Sequence, residues 1–168
     1  MKTAEMECAL ANWFDYRVNL IVPNVHWGMN MHECDLLILS KAGYATECEI
    51  KISRADLKAD SNKRHDHDSG RAKRVIKYLF FAVPEKLKEA ALEFAPERAG
   101  IILVRPADPA ETLPYLMGPR CQRIREPVVN MQATKVPELE RYKIARLGAL
   151  RIWNLKRKLH AAQNGKRA

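Results

Sequence analysis

The chain has 168 residues, 47% of them hydrophobic, enough for one domain with a buried core and too many for wholesale disorder. A formal charge of +9 and an isoelectric point near 9.5 favour a polyanionic partner. Nucleic acid is expected ahead of an anionic membrane surface, since the sequence carries no long apolar segment or lipidation signal. The cysteines Cys8, Cys34, Cys48 and Cys121 form no Cys-x-x-Cys pair, which argues against a zinc ribbon and reads as buried thiols in a reducing compartment. Met1 to Glu7 contains Glu5 and Glu7 instead of an apolar stretch with a cleavage site, so a cytoplasmic protein is expected.

Thr3 as N-cap, followed by Met6, Leu10 and Trp13 at helical spacing, predicts a short amphipathic helix that fades near Asp15. Val18–Val22 reads as a strand closed by Pro23-Asn24, Asp35–Leu39 as a second, and Tyr44–Ile52 as a third. The turn Ser40-Lys41-Ala42-Gly43 is short, so the second and third strands should form an antiparallel hairpin. Ser53, with Asp56 where a capping box has Glu or Gln, starts a helix that continues through Leu57 and Lys58. Residues 63–74 are polar, with a turn expected at Asp68-Ser69-Gly70, before Val75–Val83 resumes as an apolar strand. Pro84 fits the first turn of a helix bearing Leu87, Ala91 and Phe94, and Gly100–Val104 makes a further strand.

Beyond this αβββαβαβ run, the segment Pro106–Pro137 is proline-rich and should wrap the surface, with a short strand near Gln122–Ile124. Leu139, Tyr142, Ala145, Ala149, Ile152, Leu155 and Leu159 mark one face of a C-terminal helix. Its other positions include Arg141, Lys143, Arg146, Arg151, Lys156, Arg157 and Lys158. A helix packed on the core with a solvated basic face is the simpler reading, and direct phosphate binding the alternative. The organisation expected is a core over residues 1–105, a surface segment over 106–136, a basic helix over 137–163 and a frayed tail over 164–168.

The chemistry is concentrated on the hairpin. Alternation puts Glu47, Glu49 and Lys51 on one face of the third strand, and a favourable register brings Asp35 beside Glu49. Two carboxylates so close repel each other unless a cation intervenes. Lys51 is one candidate, in an ordinary ion pair, and a divalent metal is the other.

The acid on one strand, the turn, Glu49-Ile50-Lys51 closing the next strand and a helix directly after it together resemble the PD-(D/E)XK nuclease superfamily over roughly Met1 to Arg105. The run Glu49-Ile50-Lys51-Ile52-Ser53-Arg54-Ala55-Asp56-Leu57-Lys58-Ala59-Asp60, followed by Lys63, looks like its MmcB-type branch of DNA-repair and phage-associated proteins. The chain departs from the superfamily's fullest pattern in having Cys34, not proline, before Asp35.

The resemblance implies an α/β, restriction-endonuclease-like αβββαβ core with a mixed central sheet flanked by helices, plus the basic C-terminal helix. It implies Mg²⁺ or Mn²⁺ held by Asp35, Glu49 and the backbone carbonyl of Ile50, with Lys51 serving the attacking water or the scissile phosphate. A further acid comes from the first helix in many members; Glu5 and Glu7 both qualify by position, and Glu5 is preferred. Ser53, Asp56, Asp60 and Lys63 become supporting residues by the same resemblance.

The run His65-Asp66-His67-Asp68 lacks the second half of a zinc motif and reads as a solvated loop. With Lys58, Arg64, Arg71, Lys73 and Arg74 around them, His65 and His67 fit phosphate contact better than metal ligation. The expected activity is therefore metal-dependent hydrolysis of DNA phosphodiesters in repair or phage DNA processing, by a homodimer or with a partner protein. The rivals are an inactive nucleic-acid-binding module on the same fold and a basic scaffold in a larger DNA-processing complex.

Overall fold

The computed structural model describes residues 1–25, 33–62, 75–107 and 119–164. Its elements are helix α1 (Thr3–Trp13), strands β1 (Leu20–Val25), β2 (Cys34–Leu39) and β3 (Ala45–Ile50), helix α2 (Arg54–Asn62), strand β4 (Ile76–Pro84), helix α3 (Lys88–Phe94), strands β5 (Gly100–Arg105) and β6 (Arg120–Arg125), and helix α4 (Glu138–Asn164). The strands form one six-stranded mixed sheet in the order β1-β2-β3-β4-β5-β6. The pairs β3–β4 and β4–β5 are parallel, joined by connections that carry α2 and α3, and the remaining neighbours are antiparallel. The protein is thus α/β, a mixed sheet flanked by helices.

Alternation along the strands builds two unlike faces. One carries Leu36, Ile38, Cys48, Ile50, Phe80, Ala82, Ile102 and Val104, and α1 lays Met6, Ala9 and Leu10 on it in a single apolar cluster. On the other face, Val22, Leu37, Leu39 and Ala45 pack with Val136 and with Ile144 of α4. Farther across that face, Leu79, Phe81, Val83, Ile101 and Leu103 pack with Leu57 of α2 and with Ala90 and Ala91 of α3. Between those two clusters runs the polar side of β3.

Several sequence expectations shift. Lys2, not Thr3, is the N-cap of α1, and its backbone N–H donates to Glu5 Oε2 at 2.7 Å. Strand β1 begins later than Val18 and runs through Pro23-Asn24, because it is an edge strand where the missing proline N–H interrupts no ladder bond. Pro84 ends β4 in extended conformation and caps a 3-10 turn, Glu85–Leu87, that precedes α3. Ser53 caps α2 as expected, its Oγ accepting the Asp56 N–H at 3.1 Å. Of the cysteines, Cys34 and Cys48 are buried, Cys121 is half-buried and Cys8 is exposed.

The largest correction concerns α4. Of the positions its apolar periodicity marks for burial, Leu139, Tyr142, Ile152, Leu155 and Leu159 all stand in solvent. The helix packs through Ile144 and Leu147 instead. Periodicity identifies an apolar stripe, but the extent of the sheet decides how much of it is covered, and this helix outruns the sheet. Among the described residues no helix is long and apolar enough to cross a membrane.

Candidate functional site

The hairpin register fixes the geometry. Leu36 pairs with Cys48 and Leu37 with Glu47, so continuing by one residue sets Asp35 opposite Glu49. On the far side of β3, Glu47 pairs with Leu79 and Glu49 with Phe81. Two rows therefore cross the sheet on one face, Leu37–Glu47–Leu79 and Asp35–Glu49–Phe81. Glu47 is fully buried between the two apolar clusters, and Glu49 and Lys51 are nearly so, at 7% and 8% exposure.

At Asp35 the ladder passes from backbone to side chain, with the Ile50 N–H donating to Asp35 Oδ2 at 2.8 Å. The Ile50 side chain points into the opposite, apolar face, so its peptide group is held against the carboxylates while its side chain anchors β3. Lys51 Nζ donates to Glu49 Oε2 at 2.8 Å and lies 3.2 Å from Asp60 Oδ1, contributed by α2. Its ammonium is 5.8 Å from the Phe81 ring centroid, within reach of a cation–π attraction.

The charges are unevenly matched. Burial, together with the nearby Asp35 and Glu47, pushes the Glu49 carboxyl up to about 7 against the pull of Lys51. Lys51 is raised despite its burial, by Glu49 first and then by Asp60 and Asp35. The lysine therefore stays protonated.

The residues expected on sequence grounds divide clearly. Asp35, Glu49, the Ile50 peptide, Lys51 and Asp60 come together. Ser53 and Asp56 stand at the start of α2 and act on the helix itself. Glu5 is exposed, its carboxylate closing the N-terminus of α1, whereas Glu7 accepts a hydrogen bond from Asn24 Nδ2 at 3.2 Å. Asn24 falls between Pro23 and Val25, which pair with Leu36 and Cys34, so Glu7 reaches the strand end that carries Asp35. Lys58 is exposed on α2. Lys63, Arg64, His65, His67, Arg71, Lys73 and Arg74 lie outside the described residues, as does the turn expected at 68–70.

Sequence reasoning placed Glu47 on the site's face by alternation without giving it a role, and named Glu7 as the alternative to the preferred Glu5.

Among the described residues no three His, Cys, Asp or Glu side chains converge as a metal-holding group. The donors that Asp35, Glu49 and the Ile50 carbonyl would offer are all oxygen, a set that suits Mg²⁺ or Mn²⁺ when water and phosphate oxygens complete the shell. Asp35 accepts through Oδ2 and Glu49 through Oε2 among the described contacts.

No protein-family model matches the chain, and no curated protein does. Among solved structures it is similar to the SPO1766 protein of unknown function from Silicibacter pomeroyi, at 17% identity and a TM-score of 0.57. The match covers 99% of this chain and 94% of that one, a likeness of fold alone.

Proposed function

We propose that this protein is a metal-dependent nuclease of restriction-endonuclease-like fold that hydrolyses DNA phosphodiesters, with Mg²⁺ or Mn²⁺ held by Asp35, Glu49 and the Ile50 carbonyl. The observation that carries this reading is Asp35, one residue beyond the Leu36–Cys48 pair, accepting the Ile50 N–H and acting electrostatically on the neighbouring Glu49, with the Lys51 ammonium on Glu49, at the polar break in an otherwise apolar sheet face. The order αβββαβ at the start of the chain and the resemblance of its Glu49–Lys63 run to the MmcB-type branch support it. When bound, the ion would supply Lewis-acid activation of the phosphodiester and a lower pKa for the attacking water.

The chain's own residues have distinct tasks. The Ile50 amide orients Asp35. Glu49 and Asp60 hold the Lys51 ammonium in place, and because its proton is retained, Lys51 positions the phosphate and offsets developing negative charge instead of acting as a base. The helix acid is assigned to Glu7 in place of Glu5, whose carboxylate is engaged in capping α1.

The test is cleavage of circular, linear, single-stranded and flap DNA with Mg²⁺ or Mn²⁺ by the wild-type protein and Glu49→Ala. Metal-dependent cleavage that falls by about 10²-fold or more in the folded variant is expected. Equal cleavage by both proteins rejects the site. A second reading rests on the same lysine: Lys51 already sits between Glu49 and Asp60 as a cation would, which suits a DNA-binding module without catalysis. Tight, salt-dependent DNA binding with no cleavage by the wild type would select it.

A further inference from the structure

We propose that the distal half of α4 is a docking helix for an acidic amphipathic helix of a partner protein. The inference is independent of the nuclease reading. In the proximal half, Ile144 is buried and Gly148 faces Val22, where an added Cβ would stand 3.4 Å from the valine Cγ2. Continuing at steps of three and four, the same side of the helix presents Ile152, Leu155, Leu159 and Ala162. Those three large side chains are 58%, 59% and 54% exposed. The stripe that packs the helix onto the sheet thus continues into solvent past Arg151, which donates to the backbone carbonyl of Asn24 at the end of β1. From that anchor to Asn164 the helix extends on the order of 20 Å at 1.5 Å per residue.

Charge selects the occupant. Residues 141–164 contain seven Lys and Arg and no Asp or Glu. With Ile152 and Leu159 as a positions and Leu155 and Ala162 as d positions of a heptad, Arg151 and Lys158 fall at g and Lys156 at e, flanking the stripe on both sides. A second copy would therefore face cations with cations: Arg151 against Lys158 in an antiparallel pair, Arg151 against Lys156 in a parallel one. DNA would match the charge but leave the stripe in water. A helix with leucine-like a and d residues and Glu or Asp at e and g satisfies both the apolar stripe and its basic borders.

The test uses the full chain and two synthetic heptad peptides with leucine at a and d, one carrying Glu at e and g, the other Lys. Titration followed by fluorescence anisotropy should show binding of the Glu peptide only. That binding should weaken at least about tenfold in high salt and in Ile152→Ser/Leu155→Ser/Leu159→Ser, whose substitutions lie on exposed positions and keep the thermal midpoint of the domain. Failure of the Glu peptide to bind, or equal binding of both peptides, overturns the proposal. So does a concentration-dependent dimer in sedimentation equilibrium that the triple variant abolishes, which would assign the stripe to self-association. If the triple variant keeps peptide binding while Arg151→Gln/Lys156→Gln/Lys158→Gln loses only duplex-DNA binding, the helix is a DNA arm and the proposal is likewise overturned. DNA cleavage by the triple variant should equal that of the wild type, so a failed nuclease assignment and a failed docking assignment give different patterns.

Discussion

The two faces of the central sheet come from the same strands, yet one is apolar from β2 to β5 and the other is split by carboxylates at β3. The face under α1 is built for cohesion: Leu36, Cys48, Phe80 and neighbouring side chains interlock with Met6 and Leu10. The opposite face gives up that continuity at Glu47 and Glu49, where burial of charge costs stability that leucine or valine would have provided. A protein that only needed to fold would have no reason to keep the break. Departure from the rule of apolar interiors therefore makes this region the candidate site.

The comparison can be broken most forcefully at Lys51. Lys51→Met removes the ammonium that bridges Glu49 and Asp60, and should cost about 3–5 kcal/mol in urea unfolding with EDTA present. Mn²⁺ should restore part of that loss if the carboxylates accept a divalent ion; no recovery would leave the pair a purely structural contact. On the uniform face, Leu36→Ala should cost about 3 kcal/mol, and added metal should not change the deficit. A metal-dependent rescue there would dissolve the distinction between the faces.

A smaller effect is expected at Gly100, which lies directly under the Phe80 ring on the uniform face. An added Cβ would come within 2.6 Å of two ring carbons, so Gly100→Ala should cost about 2 kcal/mol by displacing the ring. Unchanged stability would mean that the ring can move aside at little cost. The subtlest test is pH. The folded state keeps the Glu49 proton up to about 7 while the unfolded chain releases it near 4.5. Stability from this group is therefore full below about 4.5 and is lost as pH rises through about 7. Without metal, the urea midpoint should fall across that window, and Glu49→Gln should flatten the fall. A midpoint that rises over the same window would show that the ion pair with Lys51 outweighs burial.

Much of this face was readable from the chain because the β2–β3 hairpin is local. Alternation and a short turn suffice to predict the antiparallel hairpin, which the register bears out, and its continuation by one residue puts Asp35 beside Glu49. What depends on tertiary packing was not readable. Glu47 shares the parity of Glu49, but only the flanking Leu37 and Leu79 clusters make it a buried group. Asp60 was named as a supporting residue by resemblance alone; its contact with Lys51 depends on α2 folding back over β3, which no spacing in the sequence encodes. Helix α4 misled for the opposite reason: its pattern is regular enough to suggest a core face, while the sheet ends before the helix does.

The bond between Asp35 and the Ile50 amide makes that single N–H a natural spectroscopic reporter of the site. Any ion, ligand or substitution that draws the Asp35 carboxylate away will alter the amide's chemical shift and its exchange with solvent deuterium. In a ¹⁵N-labelled sample the Ile50 crosspeak can thus record occupancy of the acidic cluster directly, without a substrate and without a turnover assay.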